Sequence, residues 1–313
     1  MTLRALMTAA LVLALPMTAS HVAARPHHRM VAPSAMVPLV LMTDFGVKDG
    51  AVSEVKGVAY GVSQKLLISD LTHEIPAGNI WEGAYRLYQV APYWPKGTVF
   101  VAVVDPGVGT SRLAIVARTK AGHFYVLPDN GLLSLIADTE GLDEVRTIDE
   151  TTNRLKGSQD SNTFYGRDVF GYTGARLASG VISFAQVGPV VASDRLVRID
   201  YQPAVRDSET LKGVIPVLDV QYGNVWSNIP KSLFDTMGLQ PGDAVNVKIL
   251  HGGAVVNEVT APYATTFGDV PEGKPLVYIN SLLNVAVALN LGDYAKANGI
   301  ASGPDWTIEI SRP

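Results

Sequence analysis

Two short runs, residues 37–42 (VPLVLM) and 98–104 (TVFVAVV), carry almost no polar side chain, and each runs into a turn that bears an aspartate. A strand with one face in water alternates apolar and polar residues. A uniformly apolar run of this length suits a strand buried on both faces, as in a parallel sheet covered by helices. Between the two runs lie a helical pattern over residues 51–61, a short strand over 65–71 and an amphipathic stretch over 79–91. Strands alternating with helices predict an α/β domain with a mainly parallel sheet. Residues 123–127 read as a further strand, 131–138 as a helix, and 164–178 as a helix entered through Ser161-Asn162-Thr163, which could cap it.

The texture changes near residue 200. From 211 onward, short strands over 214–220, 244–250, 254–259 and 276–279 stand between turn signals, with one helical pattern over 283–297. The expected organisation is an N-terminal α/β domain over 37–203 and a β-rich domain over 211–313. Residues 1–24 read as a secretory signal peptide: Arg4, an apolar run over 5–16, then the small residues Val22-Ala23-Ala24. Residues 25–36 read as a flexible leader. The mature protein is therefore expected outside the cytoplasm, secreted into a periplasm, with no membrane segment once the leader peptide is cleaved.

Composition removes several kinds of chemistry. The 313 residues include no cysteine, which excludes disulfides, thiolate metal sites and a cysteine nucleophile. The six histidines form no metal-ligand pair on a helix, so no metal site is expected. A net charge of −4 supplies no basic surface for a nucleic-acid backbone. The 47% apolar fraction is ample for a core.

The chemistry-bearing residues cluster where strands end. Thr43-Asp44-Phe45-Gly46 follows the first strand, where ligands of open α/β sheets sit; Asp44 can accept two bonds from a ribose diol or cap the next turn. Asp105-Pro106-Gly107-Val108-Gly109 follows the third strand, and Arg112 can pair with Asp105 across the glycine turn or stand free at the surface. The glycines there lack the third member of a dinucleotide fingerprint. Asn162-Thr163-Phe164-Tyr165-Gly166-Arg167-Asp168 and Asp219-Val220-Gln221-Tyr222-Gly223-Asn224-Val225-Trp226 mix amides, acids and aromatics. They could hold a purine by stacking and edge hydrogen bonds, or form a hairpin turn with ordinary aromatic packing.

Taken with Pro128-Asp129-Asn130-Gly131 and Asn280-Ser281, these segments resemble, in order and spacing, the S-adenosylmethionine hydrolases (hydroxide adenosyltransferases), relatives of the fluorinase and chlorinase enzymes. The resemblance spans about residues 38–312. It implies an N-terminal α/β domain, a C-terminal β-barrel-like domain, and a homotrimer with active sites at subunit interfaces. It implies hydrolysis of S-adenosyl-L-methionine to adenosine and L-methionine, the adenosyl compound being substrate and no cofactor being required. Asp105 and Arg112 then match water-positioning residues, and Asp44 a ribose holder. Asn224 matches the adenine reader, helped by backbone near Leu291, while Asp219 and Ser281 match holders of the methionine part. Tyr222, Trp226 and Phe267 fall where aromatics line the adenosyl pocket. Departures stand out at Tyr165, at Gly166 and at Ser281-Leu282-Leu283, where the family usually keeps a smaller or polar surrounding. Tyr165 occupies the hydrolase histidine position, as in fluorinases, and can only orient water. Gly166 stands where a fluorinase has a halide-binding serine. Two alternatives remain: a halide-dependent, chlorinase-like adenosyltransferase, and a non-catalytic exported binder of adenosyl compounds.

Overall fold

The computed structural model describes residues 36–313; the expected signal peptide, and the expected leader up to residue 35, lie outside the described residues. The first apolar run forms β1 (Leu39–Thr43), buried at every position. Along it Val40 and Met42 point to one core cluster and Leu39 and Leu41 to another, as the two-residue side-chain period requires. The first cluster is closed by α2 (Ile80–Val90) and the second by α1 (Ala51–Val62), so helices cover both faces of the sheet. Helix α2 starts where Asn79 accepts a hydrogen bond from the Glu82 amide, an N-cap that fixes the entry of the chain.

The other strands of this sheet are β2 (Ile68–Thr72), β3 (Val99–Val103), β4 (Ala114–Thr119), β5 (Phe124–Pro128), β6 (Leu142–Thr147) and β7 (Val190–Val191). Their order is β2-β1-β3-β5-β4-β6-β7. The four strands β2, β1, β3 and β5 run parallel, and β4, β6 and β7 add antiparallel pairs. The chain leaves β1 toward β2 on one side and returns through α2 to β3 on the other. The gap above β1 and β3 is thus the topological switch point, where open α/β sheets hold ligands. The sheet is mainly parallel in its first half only; β4, β6 and β7 gave no clear pattern in the sequence.

The remaining strands make two antiparallel sheets. One has the order β10 (Val217–Asp219), β11 (Asn224–Pro230), β15 (Asn284–Leu289), β14 (Pro275–Ile279). The other has the order β13 (Ala254–Pro262), β12 (Ala244–His251), β16 (Gly303–Ser311), β9 (Thr210–Ile215), β8 (Val205–Asp207). An isolated bridge from Tyr263 to Val277 links them. Trp226, Leu276 and Tyr278 share a core cluster with Tyr85 and Leu87 of α2. The Trp81 indole N–H donates to the Pro216 carbonyl at 2.8 Å, and Arg86 to the Leu218 carbonyl at 3.1 Å. These bonds fix the antiparallel part on α2.

Two expected helices differ from the sequence reading. Residues 283–297 are not one helix: β15 fills their first half, and only Tyr294–Asn298 is helical. The alternating Val285-Ala286-Val287-Ala288 are all buried between neighbouring strands, which favours strand over helix. The stretch expected as a helix from 164 begins with a π-helical turn, Gly166–Gly171, before the α-helix Tyr172–Ala178. Its first residues are not capped by Ser161-Asn162-Thr163; the Ser161 and Thr163 hydroxyls bond to each other instead. Wide turns of this kind recur beside functional sites.

Candidate active site

Asp44 lies directly after β1, half-buried, and its Oδ2 accepts the Gly78 amide at 2.8 Å. Its Oδ1 makes no hydrogen bond among the described residues, so one oxygen is committed and the other is left available. Asp105 lies after the neighbouring β3. Arg112 Nε stands 3.0 Å from each of its carboxylate oxygens, and Nη2 donates to Oδ2 as well. The pair is shielded: the Arg112 and Asp105 side chains are 9% and 5% exposed. The surface alternative for Arg112 is therefore wrong. The glycine turn 107–109 folds the chain back so that the two charges meet.

The guanidinium of Arg112 also lies 5.0 Å from the Tyr165 ring centre and 5.1 Å from that of Phe170. Arg154 approaches the same Tyr165 ring at 5.2 Å. Two cations near one phenol ring hold it by cation–π attraction, and the Tyr165 hydroxyl makes no hydrogen bond among the described residues. Behind it, Asp168 is fully buried and paired with Arg167, which reaches on to Glu54 on α1. Asp105, Arg112 and Tyr165 thus form one group above the switch point. Asn130 closes it from β5, its amide donating to the Val104 carbonyl at 2.8 Å.

A second feature stands on the antiparallel sheet: a cavity of about 690 Å³ lined by Asp219, Tyr222, Asn224, Trp226, Phe267, Ser281 and Leu291. All seven substrate-binding candidates of the C-terminal part meet there. The hairpin alternative for 219–226 is also correct, since Asp219 pairs with Asn224 across a turn and the Asn224 amide donates to Asp219 Oδ2 at 3.1 Å. Gly223 has φ +68°, and a Cβ on it would fall 1.8 Å from Asp293 Oδ1. That contact seats the hairpin on the segment Leu291-Gly292-Asp293, and the Ala295 amide donates to the Gly223 carbonyl. Trp226 donates to the Tyr278 hydroxyl at 3.3 Å, and Phe267 packs on the Tyr278 ring at 5.0 Å. Burial pushes the Tyr278 hydroxyl up to about 12, so it stays a neutral partner of the indole.

Sequence reasoning missed Tyr278, Asn290 and Asp293 as lining residues. Tyr278 could have been found from its place at the end of a predicted strand, two residues before Asn280-Ser281. The structure does not bring every candidate to one place. Asp44, Asp105, Arg112 and Tyr165 sit above the parallel sheet and do not line the antiparallel cavity.

A carboxylate-bearing switch point and a separate aromatic cavity define an α/β protein with a two-part small-molecule site. The sequence profile of the SAM hydroxide adenosyltransferase N-terminal domain matches residues 39–188, and that of the C-terminal domain of the same family matches residues 213–307. The chain belongs to that family. The (R)-S-adenosyl-L-methionine hydrolase of Salinispora tropica is 38% identical over 263 residues, 83% of this chain and 93% of that protein. The fluorinase of an Actinoplanes species is 26% identical, over 86% of this chain and 96% of its own length. The crystal structure of a conserved protein from Thermotoga maritima superposes with a TM-score of 0.81 at 35% identity, covering 88% of this chain and all of that one.

Proposed function

We propose that the chain hydrolyses S-adenosyl-L-methionine to adenosine and L-methionine by in-line attack of water or hydroxide at ribose C5′. The observation that carries this reading is the Asp105–Arg112–Tyr165 group at the switch point. The sulfonium leaves with its positive charge neutralised as the C5′–S bond breaks, so methionine needs no acid to expel it. The difficult partner is water, which must be oriented opposite sulfur and stripped of its solvent shell. Arg112 fixes where the Asp105 carboxylate points, and the lone pairs left on that carboxylate can accept a proton from the attacking water. Tyr165 adds a hydroxyl that orients but does not act as an imidazole would.

Asp44 holds the ribose hydroxyls through its uncommitted oxygen. Asn224 and the backbone near Leu291 read the adenine edge, and Tyr222, Trp226 and Phe267 pack on the rings. Asp219 and Ser281 take the amino and carboxylate groups of the methionine part. Among the described residues the cavity is lined by Asp219 and Asp293 and by no lysine or arginine, which suits a sulfonium cation.

Two features favour water over halide. A retained carboxylate at Asp105 repels an anion. A Cβ at Gly166 would come 2.6 Å from the Phe45 ring, so the place of the fluorinase serine is already filled.

The separation of the two site halves supports a homotrimer in which the cavity of one subunit faces the switch point of the next. The exposed apolar residues Val220, Tyr222 and Leu291 beside the cavity, and Val47, Val108 and Leu113 beside the switch point, fit surfaces covered by another copy. The Tyr263–Val277 bridge supports a barrel-like C-terminal domain. Residues 1–24 are read as a signal peptide that sends the mature protein to a periplasm. No cofactor enters the reaction.

Incubating the mature protein with S-adenosylmethionine, with and without chloride, tests the reaction. Adenosine and methionine in both samples are expected. A 5′-chloro nucleoside formed only with chloride would make it a halide enzyme. Adenosine binding without any turnover would make it a binder.

A further inference from the structure

His73 takes no part in the reaction as described, yet it is 5% exposed and lies one residue after β2, beside the turn that carries Asp44. Its Nδ1 stands 2.8 Å from the hydroxyl of Thr43, itself 2% exposed. The same hydroxyl accepts the Phe45 amide at 3.2 Å. The His73 carbonyl accepts the Gly46 amide at 2.7 Å, and five residues further on Gly78 donates to Asp44 itself. The segment 73–78 therefore grips the turn 43–46 at its first residue, at its last and at the carboxylate between.

The far side of the imidazole faces a carboxylate at ion-pair distance without a hydrogen bond of good geometry, and Nε2 is otherwise buried without a partner among the described residues. Nε2 stands 3.1 Å from Asp70 Oδ1, and the other oxygen of Asp70 receives the Lys56 ammonium at 2.6 Å. Burial raises the Asp70 carboxyl, but Lys56 and His73 outweigh that and leave it below its ordinary value. A carboxylate facing Nε2 favours the ring proton there, which leaves Nδ1 as the acceptor for the Thr43 hydroxyl. The hydroxyl, with its proton directed to Nδ1, presents its lone pairs to the Phe45 amide.

We infer that His73 is a positioning residue for Asp44, acting through Thr43, with the Asp70 carboxylate, itself paired with Lys56, set against the Nε2 edge of its ring. The row Lys56–Asp70–His73–Thr43 sets the turn so that the free oxygen of Asp44 meets the ribose hydroxyls. This rests on the reading of Asp44 as the ribose holder. Its effect falls on binding of the nucleoside part and not on the attack of water, which belongs to Asp105.

The test uses the mature chain and measures adenosine Kd by calorimetry, kcat and KM for S-adenosylmethionine, and the melting temperature. Thr43→Val keeps the shape and loses the hydroxyl; it is expected to weaken adenosine binding and raise KM by about tenfold each, with kcat within about threefold. Thr43→Ser and His73→Asn, whose side-chain oxygen can stand near the Nδ1 position, are expected to recover most of that affinity. Asp70→Ala, at a half-exposed side chain that folding tolerates, is expected to shift Kd in the same direction by a smaller factor. A Thr43→Val protein that melts lower but binds adenosine as wild type does would make the contact structural and overturn the proposal, as would an unchanged Kd in Asp70→Ala together with a fall in kcat. Asp44→Ala separates the two levels. If it weakens adenosine binding by about tenfold or more while Thr43→Val does not, the positioning role fails alone. If Asp44→Ala also binds normally, the ribose reading fails and the proposal with it.

Discussion

Arg112 meets Asp105 with one nitrogen, Nε, equidistant at 3.0 Å from both carboxylate oxygens, in a pocket nearly closed to water. A fork-shaped guanidinium on a carboxylate fixes direction as well as charge, which a lysine would not. The turn Asp105-Pro106-Gly107-Val108-Gly109 is what allows residues this close in the chain to face each other.

Asp105→Asn should lower turnover by about a hundredfold or more, the usual scale for a positioned proton acceptor. Adenosine affinity should stay within about threefold of wild type, because the group touches water and not the nucleoside. Arg112→Ala leaves a buried carboxylate unpaired and should cost about 3–5 kcal/mol of stability. Steady-state kinetics with a denaturant melt checks both. An Asp105→Asn protein as fast as wild type would refute the assigned water site.

Tyr165→Phe should slow the reaction only modestly, since the ring and its contacts with Arg112 and Arg154 remain. Tyr165→His should raise kcat and introduce a rising limb in the pH–rate profile near the histidine value of about 6.5. A pH–rate profile identical to that of wild type would show that position 165 does not face the water.

A stability effect should appear far from the site. His123 Nδ1 stands 2.9 Å from Glu140 Oε1 and its Nε2 stands 3.1 Å from the Trp94 carbonyl, and only the doubly protonated ring can donate to both. The Glu140 hydrogen bond holds the His123 value above its ordinary 6.5 against the opposing effect of burial. Burial raises Glu140, but His123 and Thr119 outweigh it and leave the carboxyl below its ordinary 4.5. A raised histidine contributes stability that is complete below 6.5 and is lost as pH rises through the folded value. A lowered carboxyl contributes stability present above 4.5 and lost as pH falls through its folded value. The melting temperature should therefore hold between these limits and decline on each side. His123→Asn should abolish the decline on the alkaline side. A wild-type melting temperature unchanged as pH rises well above 6.5 would contradict it.

Export is tested by mass. Protein purified from its native host should lack about two dozen N-terminal residues, as cleavage after Val22-Ala23-Ala24 requires. An intact Met1 or a cytoplasmic pool would refute the signal-peptide reading.

The parallel half of the large sheet was legible because β1 and β3 are buried on both faces and their side chains show it. The ends of those strands then led to Asp44 and Asp105. Strand β11 was hidden by its own polar residues: Ser227 and Asn228 are buried, and their partners, the Val285 and Gln202 carbonyls and the Val214 amide, come from distant segments. Local pattern carries no trace of such bonds. The run 284–289 is ambiguous in the sequence because small and branched apolar residues in alternation satisfy a buried helix and a buried strand alike. A role for His73 leaves no sign in the sequence for a related reason, since its threonine partner lies thirty residues earlier, at the end of β1.

The separation of the switch-point acids from the aromatic cavity has a genetic consequence. If each working centre joins the switch point of one copy to the cavity of another, catalytic competence belongs to no single chain. A chain with Asp105→Asn and a chain with Asn224→Ala would each be inert by itself. Dissociated, mixed and reassembled, they would restore activity, because some junctions then unite the intact switch point of one with the intact cavity of the other. Two alleles damaged at different places would complement each other inside one assembly, and dilution below the dissociation constant of the assembly would silence both.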